Sequence, residues 1–243
     1  MQEKVSKFLK KSFRALFYTG TVTALGYSYL YYLSKQSLED YQNSLSSLKP
    51  NPTNSFNSSD LVYMKHACIK SFTPTHTLKC LIHHRYKNRV INTNRAQKYR
   101  QSSFDSVGIV SSHNNSKRVV FYYYDQLMDL PLDEFLALPY FSEIYHSKFT
   151  SKLEKVDEVT EEFRAKLHHA QKVLDNSWPV RTEGIVRDGV DIVLNLWVSL
   201  GISKPEKMLT MLRQTVGDIE TNNNGLFSED YCDFSTPEPI KSN

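Results

Sequence analysis

The chain has 243 residues, 40% of them hydrophobic and 23% charged, and its formal net charge is +4 at pH 7. That length and composition support one folded core of moderate size. The three cysteines form no CxxC pair and no metal-ligand spacing, which excludes a zinc module and a dense disulfide framework. A single bridge between Cys68 and Cys80 and free thiols, Cys232 among them, are both compatible with the sequence.

The first element in chain order is an uncharged run of twenty residues, Ala15 to Ser34. At ~1.5 Å rise per residue, a helix of this length matches a bilayer core ~30 Å thick, so the run predicts one transmembrane helix. Gly20, Ala24 and Ser28 recur every four residues and predict a narrow face on which a partner helix packs closely. A buried helix of a soluble domain is the alternative interpretation.

Basic residues are concentrated before this run. Because an excess of positive charge stays on the cytosolic or matrix side, the predicted topology retains the N-terminus there and places the rest of the chain on the far side. A basic, amphipathic opening is also typical of a mitochondrial targeting segment. We therefore predict the mitochondrial inner membrane, with the N-terminus in the matrix and the C-terminal domain in the intermembrane space. The basic residues are Lys4, Lys7, Lys10, Lys11 and Arg14.

The endoplasmic-reticulum membrane is the alternative location. The two sequons that begin at Asn57 and Asn114 would then face the lumen and accept N-linked glycans.

Composition sets the domain boundaries. The Ser-, Asn- and Pro-rich stretch "SLSSLKPNPTNSFNSSD" predicts a linker, and the acidic C-terminal stretch predicts a disordered tail. The predicted units are a basic segment at 1–14, a transmembrane helix at 15–34, a linker at 35–59, a soluble domain at 60–220 and a tail at 221–243.

The first half of the predicted domain contains strand-like segments. "TLKCLIH" from Thr77, "SVGIVSS" from Ser106 and "RVVFYYYDQ" from Arg118 are rich in β-branched and aromatic residues, and "HNNSK" between the last two predicts a hairpin. The segment "DLVYMKHACIKSF" from Asp60 has helical spacing, although its alternating interpretation is nearly as good. We predict a helix there.

The second half is predicted to be helical. Apolar residues at alternating spacings of four and three predict a long heptad-patterned helix from about 143 to 176, packed either on its own domain or on a partner helix as a coiled coil. Two further helices are predicted, from Glu183 to a stop at Gly201 and from Ser203 onward. The fold class is therefore α+β, mainly helical, with a small antiparallel sheet or hairpin. The seam residues of the long helix are Phe149, Leu153, Val156, Phe163, Leu167 and Leu174.

The sequence contains none of the usual catalytic or phosphate-binding motifs, and we predict no catalytic residue, metal site or cofactor. The pairs His83-His84 and His168-His169 do not chelate a metal from regular structure, because adjacent side chains point to different faces.

Charge distribution is more informative than any motif. No acidic residue occurs between Leu61 and Phe104, and basic residues are dense near the end of that stretch. Such a surface predicts an anionic partner, for which phospholipid or an acidic subunit is favoured over RNA. The predicted contact residues are Arg85, Lys87, Arg89, Arg95, Lys98 and Arg100.

These features together predict a non-catalytic accessory subunit or assembly factor of a mitochondrial inner-membrane complex, bound to other membrane-protein subunits. The alternatives are a membrane-anchored enzyme that acts on lipid or acyl substrates and a single-pass protein of the endoplasmic reticulum.

Overall fold

The computed structural model describes residues 2–47, 56–70, 72–78, 80–82, 104–114, 116–123, 126–176, 189–203, 216–220, 222 and 226–242. Within those ranges the numbered helices, in chain order, are α1 (Gln2–Ser47), α2 (Leu132–Ala137), α3 (Val156–Asn176), α4 (Gly189–Ser199) and α5 (Val216–Glu220), and residues 74–78 and 80–82 are also helical. The strands are β1 (Leu61–His66), β2 (Ser106–His113), β3 (Ser116–Tyr123), β4 (Gln126–Pro131), β5 (Phe141–Ser147), β6 (Phe149–Ser151), β7 (Cys232–Phe234) and β8 (Glu238–Ser242).

The described strands form a six-stranded antiparallel sheet in the order β4-β3-β2-β1-β5-β8 and a small sheet in which β6 pairs with β7. The hairpin of β2 and β3 closes tightly, since His113 pairs with Ser116 and the connection between them has two residues. Asn114 takes a positive φ of 48°, which an asparagine tolerates in such a turn.

Both faces of the sheet are buried. Side chains alternate between faces along a strand, and here each face carries its own apolar cluster. One face, with α3 and α4 against β2, includes Leu61, Tyr63, Val107, Ile109, Val120 and Trp197. The other, with α2 and the aromatic side chains of β5, includes Val62, Met64, Val110, Phe121, Phe135 and Phe141.

This burial explains why the predicted fold class is wrong. A strand that is covered on both sides has no polar alternation, so the segment from Asp60 matches helical spacing equally well in sequence but forms β1. The structure therefore has a large antiparallel sheet where the sequence predicted a mainly helical domain with a hairpin. The predicted hairpin itself is present as β2 and β3. The segment predicted as a strand from Thr77 is helical at residues 74–78 and 80–82.

The predicted transmembrane helix is also contradicted. Among the described residues, none of the helices combines the length and the apolarity that crossing a bilayer requires. Ala15 to Ser34 does lie in a helix, the 46-residue α1, but half of those twenty residues carry a hydroxyl group. The first part of the predicted linker, residues 35–47, is helical, because α1 extends to Ser47.

Two other boundaries differ from the predictions. The long helix does not begin near 143, because β5 and β6 occupy that stretch and α3 begins at Val156 after Lys155, whose φ is 63°. The C-terminal stretch predicted as a tail contributes β7 and the edge strand β8, since its apolar side chains, among them Phe227 and Cys232, are buried in the core. The predicted stop at Gly201 is confirmed by its φ of 75° just after α4.

Close backbone contact between α4 and the sheet generates the first prediction. A Cβ on Gly189 would lie 1.8 Å from the carbonyl oxygen of Val107, so Gly189→Ala forces α4 away from β2. We expect a loss of about 3 kcal/mol or more in the free energy of unfolding, measured by denaturant titration. Gly20→Ala is the matched control, because a Cβ there meets nothing within 4 Å and the change stabilises the exposed helix by up to about 1 kcal/mol. Equal stabilities of the two variants would contradict the contact.

The structure contains a disulfide between Cys68 and Cys80, which are 12 residues apart, and Cys232 is free and buried. The sequence left this bridge open. It joins the 3-10 turn Cys68–Lys70, which contacts α1, to the helical residues 80–82.

The bridge predicts a redox-dependent stability. Because it restrains a short loop in the unfolded chain, the double change Cys68→Ser and Cys80→Ser should lower the free energy of unfolding by about 2–3 kcal/mol. A reductant should lower the melting temperature of the wild type by an amount that corresponds to a similar loss of free energy. It should leave the melting temperature of the double variant unchanged. A wild-type melting temperature that does not respond to reductant would contradict a formed bridge.

Candidate interaction surface

A row of large apolar and aromatic side chains runs along the exposed part of α1. Its five members are spaced 4, 3, 4 and 3 residues apart, which places them on one side of a helix. Each of them keeps between 62% and 69% of its surface exposed. We refer to this set as the α1 stripe: Tyr18, Val22, Leu25, Tyr29 and Tyr32.

The opposite side of α1 contacts the rest of the protein. Ser34 and Ser37 are buried and Leu30, Leu33 and Tyr41 are half-buried, whereas residues 18–29 are exposed all round. At about 100° per residue, the buried side lies roughly 130° around the helix from the α1 stripe. The stripe therefore faces away from the domain.

A series of aromatic contacts attaches α1 to the sheet. The ring of Tyr41 lies 5.0 Å from that of Phe72, which lies 4.6 Å from Tyr140, and Tyr140 stacks on Tyr123 of β3 at 4.4 Å. Burial raises the pKa of Tyr140, with a further contribution from the neighbouring tyrosines, so its hydroxyl stays neutral. Ring contacts therefore contribute to the docking of the helix on the domain.

The predicted packing face, Gly20, Ala24 and Ser28, lies in the exposed part of α1. A Cβ on Gly20 would have open space around it, so the described chain itself does not use this face for close packing. Whether a partner helix uses it stays a prediction.

The predicted anionic-partner residues lie outside the described residues. They are Arg85, Lys87, Arg89, Arg95, Lys98 and Arg100, and the pair His83-His84 lies there too.

The predicted seam residues are distributed over three elements. Phe149 lies in β6, Leu153 precedes α3, and the others lie in α3. Phe149, Phe163 and Leu167 are buried in the core, with Leu153 and Val156 packed against it. The side chain of Leu174 is outside the described part of the chain. The apolar face of α3 is therefore used within the domain, which is the intramolecular alternative considered above.

The sequence did not reveal the role of Asp60, whose buried carboxylate accepts several hydrogen bonds. Its side chain is fully buried, and its Oδ2 accepts hydrogen bonds from the backbone N–H of Asn57 and from His146 Nε2, both at 2.7 Å. Its Oδ1 accepts one from the backbone N–H of Phe149 at 2.7 Å. These partners lie up to 89 residues away in the chain, so no local pattern reveals them. The carboxylate has three protein donors, which favours a structural role.

A second polar cluster joins β4 to α3. Asp129 accepts hydrogen bonds from Arg118 Nε and His168 Nε2, each at 2.6 Å, and also pairs with Arg164. Burial alone would raise the pKa of the Asp129 carboxyl, but these three donors outweigh burial and hold the pKa below its ordinary value. Glu161 continues the cluster. Its pairing with Arg164 lowers the pKa of the Glu161 carboxyl, and its Oε1 lies within hydrogen-bond distance of His113 Nδ1, at 2.7 Å.

This cluster could have been suspected from one signal, the i,i+3 spacing of Glu161 and Arg164. Its link to Asp129 required the fold. Among the described residues, no group of three or more His, Cys, Asp or Glu side chains is placed to hold a metal ion.

Comparisons of the chain with models of known protein families, with curated proteins and with solved structures found no match. No relative therefore supports the predicted mitochondrial location or membership of a complex. The topology from which that location was inferred required the transmembrane helix that the structure contradicts.

The Asp129 cluster predicts an acid-sensitive stability. A carboxyl whose pKa is lowered on folding stabilises the folded state fully above its unfolded pKa, about 3.9, and loses that contribution as pH falls through the folded pKa. Asp129→Asn should cost about 3 kcal/mol at pH 7, since two arginines lose their buried counter-charge, and the variant should lose less additional stability below about pH 4. Chemical unfolding at pH 7 and at lower pH measures both effects.

Glu158→Gln is the control for that experiment. Glu158 is 74% exposed in its pair with Lys155, so its loss should leave the stability at pH 7 unchanged within error. Parallel acid dependence in Asp129→Asn and the wild type would contradict the assigned role of Asp129.

Proposed function

We propose that this protein is a non-catalytic subunit or scaffold that associates with another polypeptide through the α1 stripe. The observation that carries the proposal is the exposure of five large side chains in one continuous row. Contiguous apolar surface of this kind is typical of protein interaction sites, because leaving it in water is unfavourable.

The composition of α1 supports the same role. Residues 18–29 are rich in Tyr, Thr and Gly, which are moderate or poor helix formers, and these residues are exposed on every side. Helices without tertiary contacts are marginal in water. A partner that covers the stripe would supply the packing that holds this part of α1 in a helix.

The stripe has the geometry of a helix seam. Positions spaced alternately by four and three residues fit the knobs-into-holes packing of a second helix. The class of partner that fits is therefore a polypeptide that presents an apolar helix face. The proposed role involves no membrane anchor.

Two matched variants test this role. The stripe variant, Tyr29→Glu with Tyr32→Glu, places charges in the proposed contact, and the control variant, Tyr27→Glu with Tyr31→Glu, makes the same chemical change on another side of the same helix. The four tyrosines are similarly exposed, at 62%, 63%, 54% and 61%. Both variants should therefore fold like the wild type, which circular dichroism and thermal unfolding will check.

The readout is the native mass of the tagged full-length protein in extracts of its source cells. We expect the wild type and the control variant to migrate well above the 28.2 kDa of the chain, and the stripe variant to migrate as a smaller species, because buried unpaired charge opposes association. Migration of all three at the same mass would refute the role of the stripe.

A further inference from the structure

We propose that the helix bound to the α1 stripe belongs to a second copy of this chain and that the two α1 helices run antiparallel. This inference rests on the proposed function and names its partner. It is argued from the spacing of the stripe, from the residues that flank it and from the charges at the two ends of α1.

The stripe is complementary to itself. In heptad notation Val22 and Tyr29 occupy a positions and Tyr18, Leu25 and Tyr32 occupy d positions. A two-fold pair brings one such row against an identical row, so that Tyr18 lies level with Tyr29 and Val22 with Leu25 of the second copy, while Tyr32 lies level with position 15 at the end of the row. A register in which Val22 of one copy lies level with Leu25 of the other aligns a with d layers throughout.

The positions that flank the stripe permit this approach. They are the e and g positions of the heptads, where charged residues usually select one partner over another. Here Thr19 and Gly26 flank one side and Thr21 and Ser28 the other, and all four are small and uncharged, whereas Leu33, the last e position, is half-buried. A Cβ on Gly26 would meet nothing within 4 Å, which leaves room for a tyrosine ring of the second copy. Nothing at these positions repels an identical chain.

Charge favours the antiparallel orientation. The side chains of residues 1–14 carry a formal net charge of +4, whereas those of residues 35–47 carry −1. A parallel pair would place two strongly basic ends side by side, which is unfavourable. In the antiparallel register, position 7 of one copy lies level with position 40 of the other, and each basic end runs beside Glu39 and Asp40 of its partner.

The surface is large enough for a specific pair. Covering the five exposed side chains, at roughly 100 Å² each in both copies, would bury about 1,000 Å², which reaches the lower limit of specific interfaces. The docked side of α1, marked by buried Ser34 and Ser37, lies roughly 130° from the stripe, so each helix can hold its own domain and its partner at once.

The first test measures the mass of the purified full-length protein in solution. Sedimentation equilibrium at micromolar concentration should give twice the 28.2 kDa chain mass for the wild type and for the Tyr27→Glu, Tyr31→Glu control. The stripe variant should be monomeric, with a dissociation constant raised at least about 100-fold. A monomeric wild type, or a dimer that the stripe variant leaves intact, overturns the inference.

The second test determines the orientation. Chains with Lys7→Cys are mixed with chains with Asp40→Cys and treated with a short thiol-reactive cross-linker, while native Cys232 is buried and Cys68 and Cys80 are bridged. An antiparallel pair yields mixed dimers joined between positions 7 and 40. Products joined only between identical positions show a parallel pair and overturn the proposed orientation.

These tests separate the inference from the function on which it rests. The purified wild type could be monomeric and yet migrate in extracts as a larger species that only the stripe variant fails to form. That result overturns the proposed second copy and supports a different protein partner. Flotation of the monomeric wild type with phosphatidylcholine–phosphatidylglycerol vesicles, lost in the stripe variant, overturns the second copy and the proposed function together.

Discussion

Burial of both faces of the central strands is the constraint on which the rest of the structure depends. β1, β2 and β3 carry apolar side chains on each side, so the sheet is stable only when two separate layers cover it. α3 and α4 form one layer, and α2 with the neighbouring aromatic residues forms the other. The close contact of Gly189 with Val107 shows how tightly the first layer sits on the backbone of β2.

Such a sheet needs something other than apolar patterning to fix its register. When only one face is buried, a slip of one residue exposes apolar side chains and is penalised strongly, but here both faces are apolar and the penalty is weaker. Asp60 supplies a directional constraint, because its two oxygens bind His146 of β5 and the N–H of Phe149 at the start of β6. Gly108 adds a steric one, since a Cβ there would lie 2.8 Å from that of Phe121 on the paired strand.

The same property limits what the sequence can predict. The β2–β3 hairpin was predictable because its turn is polar and its strands are rich in β-branched residues, and Gly201 was predictable because a helix stop is a local signal. β1 was not, since a fully buried strand lacks alternation. β8 was not, because the composition of an edge strand resembles that of a tail and only its pairing with β5 gives it structure.

The sequence singled out the segment that carries the α1 stripe, but the face it predicted for packing, Gly20, Ala24 and Ser28, lies on another side of the helix. The run from Ala15 to Ser34 was singled out for its lack of charge, and it does contain the α1 stripe. Its hydroxyl groups, which weaken a membrane interpretation, are what a helix requires to lie against protein and water at once. Buried Ser34 illustrates this, because its hydroxyl donates a hydrogen bond to the carbonyl oxygen of Leu30 at 2.8 Å and is thereby satisfied although it is buried.

The two sides of α1 therefore follow from one sequence with two periodic patterns. Small serines and Tyr41 recur on the docked side, where ring contacts through Phe72 lead to the disulfide-linked segment and the sheet. Large side chains recur on the other side at coiled-coil spacing. Because the first pattern fixes the direction of the helix relative to the domain, the second is held facing outward, and a partner that binds it adds packing to the exposed residues 18–29.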